Sequence, residues 1–248
     1  MNNKWMIGRS IKRIIDATSG YWVYKTSQLP IGTDLSVDIQ RKLGLNTIST
    51  IFDVGANVGQ SYRTFRRHFP TSYIHCFEPV RSTFDLLQRA VAGDINVRAE
   101  QLAFGAAPGE KVIRLFENAP GLNSLREDLR SKHSEAAREV VKIETIDRYR
   151  AEHGIGAIDL LKIDTEGFEL DVLVGAQDAL SEGAVATVLA EVGFDDRNGR
   201  NSGVAAVIQF LASYNYRFFG LYDVTHDLEF GIAFANALFV RGDILYPS

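Results

Sequence analysis

The stretch IFDVGANVGQ, Ile51–Gln60, orders everything around it. A short apolar run ends in Asp53 and Val54, two glycines four positions apart follow, and Tyr62, Phe65 and Phe69 then recur at helical intervals until Pro70. Strand, glycine turn and helix in that order open a unit in which parallel strands are joined by crossover helices.

Outward from this stretch the same alternation continues. TIFDV reads as the first strand and YIHCFEP as the second, with Phe84, Leu87 and Val91 marking the helix between it and a third strand, VRAEQLAF. KVIRLFEN and EVVKIETI then read as two strands flanking a long polar loop, in which REDLRSKHSEAAREV has a charged, helical pattern. A loop of that length inside a compact domain is commonly functional, and it is expected to act as a substrate-side lid. IDLLKID is the fourth strand of the alternation, followed by a helix bearing Leu170, Leu173, Val174 and Leu180. ATVLAEVGF is the fifth, followed by a helix bearing Val204, Val207, Ile208 and Leu211. Between YRFFGLYDV and ANALFVRGD there is too little chain for a crossover helix, so these two strands are antiparallel. The expected fold is α/β: one Rossmann-like domain over residues 48–248, its sheet mostly parallel with one late antiparallel strand. A helical extension over residues 1–47 precedes it and is expected to pack on the core.

Composition narrows the function classes. The chain has 248 residues, 46% of them apolar, and a formal net charge of −4. That balance leaves no broad basic field for a phosphate backbone, so no nucleic-acid partner is expected. The single cysteine, Cys76, sits in the apolar run YIHCF and reads as core. No stretch reaches the roughly 18 continuous apolar residues of a membrane span. Arg9, Lys12, Arg13 and Asp16 interrupt any secretory apolar core, and a cytoplasmic protein is expected. Trp5, Ile7, Ile11, Ile14 and Ile15 lie near helical spacing among Lys4, Arg9, Lys12 and Arg13. Such a basic amphipathic helix is read first as packing on its own domain or on a second copy in a homo-oligomer, and contact with a membrane surface is the less favoured alternative.

The glycine loop and the acids around it point to a ligand. In an open α/β sheet, ligands sit beyond the carboxyl ends of the strands, and Asp53, Glu78, Asp164 and Glu191 fall at or near such ends. A dinucleotide loop requires a glycine where Asn57 stands, because the backbone must be bare against a pyrophosphate. Glu78 lies 25 positions beyond Asp53, at the end of the second strand, where a carboxylate accepts both hydroxyls of a ribose. A ligand with a ribose and a cationic tail suits this rim, and S-adenosylmethionine is such a ligand; phosphates would be repelled.

These segments also carry a resemblance. FDVGANVGQS, FEPVRSTFDLL, LNSL, IDLLKIDTEGFELDVLVGA, EVGF and ANALFV together resemble the FkbM-type S-adenosylmethionine-dependent methyltransferases, from about Leu29 to Val240. The resemblance implies a seven-stranded methyltransferase domain and methylation of hydroxyl oxygens on sugars, polyketides or other secondary metabolites. It also implies roles for individual residues. Asp53, Gly55, Asn57 and Gly59 would line the methionine end of the cofactor, Glu78 would hold its ribose, and QLAFG would flank the adenine. Asp164 and Glu166 would face the reacting centre, with Asn123 and Ser124 approaching from the long loop.

An alcohol is a weak nucleophile at neutral pH, so a group must take its proton or acidify it. Asp164, Glu166 and Glu191 are the candidate catalytic acids. With its side chain on the same strand face as Asp164, Lys162 would keep that carboxyl ionised. In the less favoured alternative, Asp164 and Glu191 bind a divalent cation such as Mg or Mn, although Val192 stands where a catechol-type enzyme has an amide ligand. The bland reading of Glu166 and Glu169 is that they favour the positive end of the next helix. His226 is the histidine best placed near a substrate; Tyr222 and DDRNGR are further candidates for acceptor contact. Two rival functions remain: an NAD-linked oxidoreductase, which the missing glycine disfavours, and a non-catalytic cofactor-binding assembly module.

Overall fold

A computed structural model of the chain describes residues 18, 24–25, 28–116, 135–194, 201–228 and 231–246. The chain forms two compact units, Met1–Asn46 and Thr47–Ser248. In the first, Asp34 accepts the Val37 N–H at 3.0 Å and so caps a helical turn, Leu35–Val37, that runs on into a π-turn, Asp38–Lys42. The amphipathic stretch from Trp5 to Ile15 lies outside the described residues. None of the described helices is long and apolar enough to cross a membrane.

Among the described residues, the second unit is built on ten strands. β1 (Thr50–Val54), β2 (Tyr73–Phe77), β3 (Val97–Glu100), β7 (Ile158–Ile163), β8 (Val185–Gly193), β9 (Tyr216–Asp227) and β10 (Gly231–Arg241) form one sheet in the order β3-β2-β1-β7-β8-β10-β9. All neighbours are parallel except β10, which runs antiparallel to both β8 and β9. This is the Rossmann-like, seven-stranded arrangement with one late antiparallel strand. The helices are α1 (Gln60–His68), α2 (Arg81–Val91), α3 (Ile146–Glu152), α4 (Glu169–Val174), α5 (Gln177–Ser181), α6 (Val204–Ser213) and α7 (Gly242–Leu245).

The central strands are buried on both faces, which is why they read as unbroken apolar runs rather than alternating ones. Phe52, Phe77, Leu161 and Val188 build the main core with Ile146, Val172, Leu180 and Leu211 from α3 to α6. Tyr62 and Phe65 of α1 and Phe84, Leu87 and Val91 of α2 are buried too, as their helical spacing predicts.

Three expectations are corrected. VRAEQLAF is not one strand: β3 ends at Glu100 in the main sheet, and Ala103–Phe104 forms β4 in a second sheet. That sheet has the order β4-β6-β5, with β5 (Gly109–Phe116) antiparallel to β6 (Glu135–Glu144). REDLRSKHSEAAREV is not helical at its end, because Glu135–Val140 already belong to β6, and pairing with β5 overrides the local propensity. The helix after β7 is two helices, broken at Gly175 and Ala176. A Cβ at Gly175 would run into the carbonyl of Gly105, so the chain passes here only as glycine.

Candidate active site

In the main sheet, β1 leads through β2 to β3 on one side, while its other neighbour is β7. The carboxyl ends of β1 and β7 therefore flank the switch point where α/β sheets take ligands. A cavity of about 250 Å³ opens there. Its wall includes Gly55 and Asn57 after β1, Glu78 after β2, Leu102 and Phe104 near β4, and Asp164, Thr165 and Glu166 after β7.

The glycine turn is shaped by close backbone approach. Gly55 has φ +81°, its N–H donates to the Phe77 carbonyl at 3.0 Å, and a Cβ there would collide with the Asp164 carbonyl. The adjoining Asp164 N–H donates to Val54 O at 3.0 Å, so the ends of β1 and β7 are laced together across the switch point. Gly59, with φ +86°, starts α1, where an added Cβ would press on Leu87 and Ala90 of α2; it is not among the residues of the cavity wall.

Glu78 is buried and held from two sides. Its Oε2 accepts the Asn57 N–H at 3.1 Å and its Oε1 the Val80 N–H at 2.9 Å. Each oxygen keeps a lone pair for a further donor, which is the arrangement a pair of vicinal hydroxyls requires. Burial pushes its pKa up to about 7, against the two backbone N–H groups that favour the charged form. A donor pair arriving from a ligand selects the ionised carboxylate. Affinity for such a ligand is therefore expected to rise as pH increases through about 7 and to fall by about tenfold on going from pH 8 to pH 6. Calorimetric titration with S-adenosylhomocysteine across that range, in the wild type and in Glu78→Gln, is the check; the substitution is expected to flatten the profile.

Asp53 does not line the cavity. It is fully buried, its two oxygens meet no hydrogen-bond donor within ordinary distance among the described residues, and its Oδ1 lies 3.6 Å from Lys162 Nζ. Lys162 in turn donates to Asp164 Oδ2 at 3.0 Å, as their shared strand face predicts. Burial acts to lower the Lys162 pKa, but Asp164 and Asp53 outweigh it and hold the ammonium above the ordinary lysine value. Burial likewise raises Asp53, against the pull of Lys162.

Beyond Asp164 the rim is acidic. One oxygen each of Asp164, Glu166 and Glu191 lie within 4.8 Å of one another. Burial, then Asp164, Glu166 and Glu169, push Glu191 up to about 8, with Lys162 opposing. The side-chain amide of Asn201 donates to Glu191 Oε2. An amide therefore does meet Glu191, supplied from the loop after β8 rather than from the neighbouring position 192. Asn201 and the buried Glu169 are not expected from the sequence as site residues; Asn201 meets Glu191 10 residues away, and Glu169 meets Ser202 33 residues away, beyond any local pattern. Asn123, Ser124 and the lid expected over them lie outside the described residues. His226 is exposed on β9, and the cavity wall does not include it.

A glycine-turned pocket at the switch point of this sheet, with acids at both ends, defines the class of cofactor-binding α/β proteins. Within it, the methyltransferase FkbM domain profile matches residues 53–218, and the chain belongs to that family. It is 30% identical over 185 residues to the 31-O-demethyl-FK506 methyltransferase FkbM of Streptomyces tacrolimicus, covering 64% of this chain and 70% of that protein. It is 29% identical over 156 residues to the methyltransferase sdnD of Sordaria araneosa, covering 52% of this chain and 60% of that one. With the methyltransferase 1 of Beauveria bassiana the match again spans only 59% of the relative's length. Fibrillarin of Aeropyrum pernix, solved with S-adenosylmethionine, superposes with a TM-score of 0.46 at 16% identity over 78% of this chain and 66% of that one.

Proposed function

We propose that the chain is an S-adenosylmethionine-dependent O-methyltransferase acting on a hydroxyl of a glycan or a natural product such as a polyketide. The observation that carries this reading is the charge of the cavity: Glu78, Asp164 and Glu166 stand on its wall, and its described lining contains no Lys or Arg. Such a wall favours a sulfonium and an ammonium and opposes a pyrophosphate, which disfavours the NAD-linked alternative. Grouping buried acids is costly and is common where chemistry is done, which disfavours a purely structural module. The oxygen-directed half of the reading draws on relatives whose names specify O-methylation, the Streptomyces enzyme and the 2-O-methyltransferase NoeI of Sinorhizobium fredii, 24% identical over 143 residues.

In this reading Glu78 would take the ribose hydroxyls, the backbone at Gly55 and Asn57 would border the amino-acid end, and Leu102 and Phe104 would flank the adenine. When bound, S-adenosylmethionine supplies an electrophilic methyl group on a good leaving group. The protein aligns the acceptor oxygen with it and excludes water, which can contribute roughly 7 to 11 kcal/mol. Asp164 and Glu166 hold the acceptor hydroxyl by hydrogen bonds. On methyl transfer the carboxylate cluster of Asp164, Glu166 and Glu191 would take up the hydroxyl proton. Lys162 keeps its hydrogen bond to Asp164 Oδ2 meanwhile.

A second reading rests on the closeness of the three carboxylates. Asp164, Glu166 and Glu191 offer the hard oxygen donors that Mg or Mn takes, and a cation held there would acidify the acceptor hydroxyl. The Lys162 ammonium already neutralises Asp164, so the metal-free reading stands first. Incubation with labelled methyl donor and pooled hydroxylated metabolites, with and without chelator, separates the two. Label is expected on an oxygen and unchanged by chelator; loss in chelator restored by Mg or Mn would establish the cation, and label on nitrogen or carbon would overturn the O-directed assignment.

A further inference from the structure

Glu169 opens α4 and is fully buried. Its Oε1 accepts the Thr165 N–H at 3.1 Å, the Thr165 hydroxyl at 3.2 Å and the Gly167 N–H at 3.0 Å. Its Oε2 accepts the Ser202 N–H at 2.9 Å, from the loop after β8. Between Thr165 and Gly167 stands Glu166, a non-glycine residue at φ +53°, followed by Gly167 at φ +104°. A side chain persists in that left-handed region only where its surroundings over-determine the backbone, and here the N–H groups on either side of Glu166 end on one carboxylate oxygen. Next to Ser202 is Asn201, whose amide meets Glu191. An acid that merely favoured the start of a six-residue helix would not need to be buried, would not reach across 33 residues, and would not be placed where it opposes the ionisation of Glu191.

We propose that Glu169 is a positioning residue for the transfer reaction: it locks the loop bearing Asp164 and Glu166 to the loop bearing Asn201, and so fixes the three-carboxylate cluster against the cavity. The catalytic part of this inference rests on the methyl-transfer reading above; the structural part does not. Glu169→Gln keeps the shape but offers one acceptor oxygen and an amide that faces N–H donors, so one of the two loops must let go.

The test measures amide hydrogen exchange by NMR, binding of S-adenosylhomocysteine, and turnover of labelled methyl donor with the pooled hydroxylated metabolites. In Glu169→Gln, exchange at Gly167 and Ser202 is expected to quicken by about tenfold or more, the effect of one lost charge-assisted hydrogen bond. Turnover is expected to fall by at least about tenfold at an unchanged KM for the donor, while product affinity stays within about twofold, because Glu78 is held by the Asn57 and Val80 N–H groups and Glu169 by those of Thr165, Gly167 and Ser202. The loss is also expected not to add to that of Glu166→Gln, since both act on one group. Should Glu169→Gln not fold, Glu169→Asp retains the charge and the near contacts but falls short of Ser202, and only the Ser202 amide should lose protection, again with reduced turnover. Unchanged exchange at Ser202, full turnover in either variant, or additive losses with Glu166→Gln would each overturn the proposal. If the wild type neither binds S-adenosylhomocysteine nor transfers methyl, the enzymatic reading fails, and the exchange data still decide whether Glu169 joins the loops.

Discussion

Lys162→Met is expected to lower folding stability by about 3–5 kcal/mol, the usual cost of removing one partner from a buried ion pair. In a chain of this size that corresponds to a melting temperature roughly 10 °C lower. Methionine keeps the apolar stem, so the loss isolates the charge. What remains is Asp53, fully buried, without a hydrogen-bond donor among the described residues, and with the Lys162 ammonium gone. The pH dependence has a definite sign. Burial already raises Asp53 above its unfolded value, and removing Lys162 raises it further. The folded variant then binds a proton that the unfolded chain releases, so the deficit should narrow as pH falls from about 8 toward 5. Adding Asp53→Asn to Lys162→Met should recover part of the loss, because the carboxylate left without its ammonium is then removed. A melting curve for Lys162→Met that matches wild type would show that Asp53 needs no counter-ion.

Gly55→Ala is expected to cost at least about 3 kcal/mol, combining left-handed backbone strain with overpacking, and to weaken S-adenosylhomocysteine binding by about a hundredfold. The backbone there has φ +81°, and the added methyl would overlap the Asp164 carbonyl, which cannot withdraw as a flexible side chain would. Relief requires β1 and β7 to part where they jointly wall the cavity. Gly154→Ala is the control: it has φ +62° with nothing within 4 Å of the added Cβ. Strain alone should cost it about 1 kcal/mol and leave ligand binding intact. Thermal denaturation and calorimetry of the pair measure the difference, and equal costs would mean that the contact with Asp164 is not what demands glycine at position 55.

The parts of this fold that were legible in the sequence are those whose signal is local. TIFDV, the glycine turn and the helix with Tyr62 and Phe65 stand where their spacing puts them, and the two last strands pair antiparallel as the short connection requires. Lys162 meets Asp164 because strand side chains alternate. What failed was set by distant partners. VRAEQLAF divides because Ala103 and Phe104 find Ile143 and Glu144, some forty residues on, rather than the edge of the main sheet. Asp53 reads as a ligand contact from its place before the glycines, yet the register that sets it beside Lys162 makes it a buried partner of the lysine that also holds Asp164. Glu169 has the pattern of an ordinary helix-start acid, and only the fold brings Ser202 to it.

The acidic cavity as a receptor for a cationic sulfur nucleoside is the centre of this account, and titration calorimetry with S-adenosylhomocysteine and NADH side by side tests it most directly. Binding of the homocysteine nucleoside at one site per chain, weakened by about a hundredfold in Glu78→Ala, with no heat from NADH, is the predicted result. Saturable NADH binding that survives Glu78→Ala, or silence toward both ligands, would contradict it.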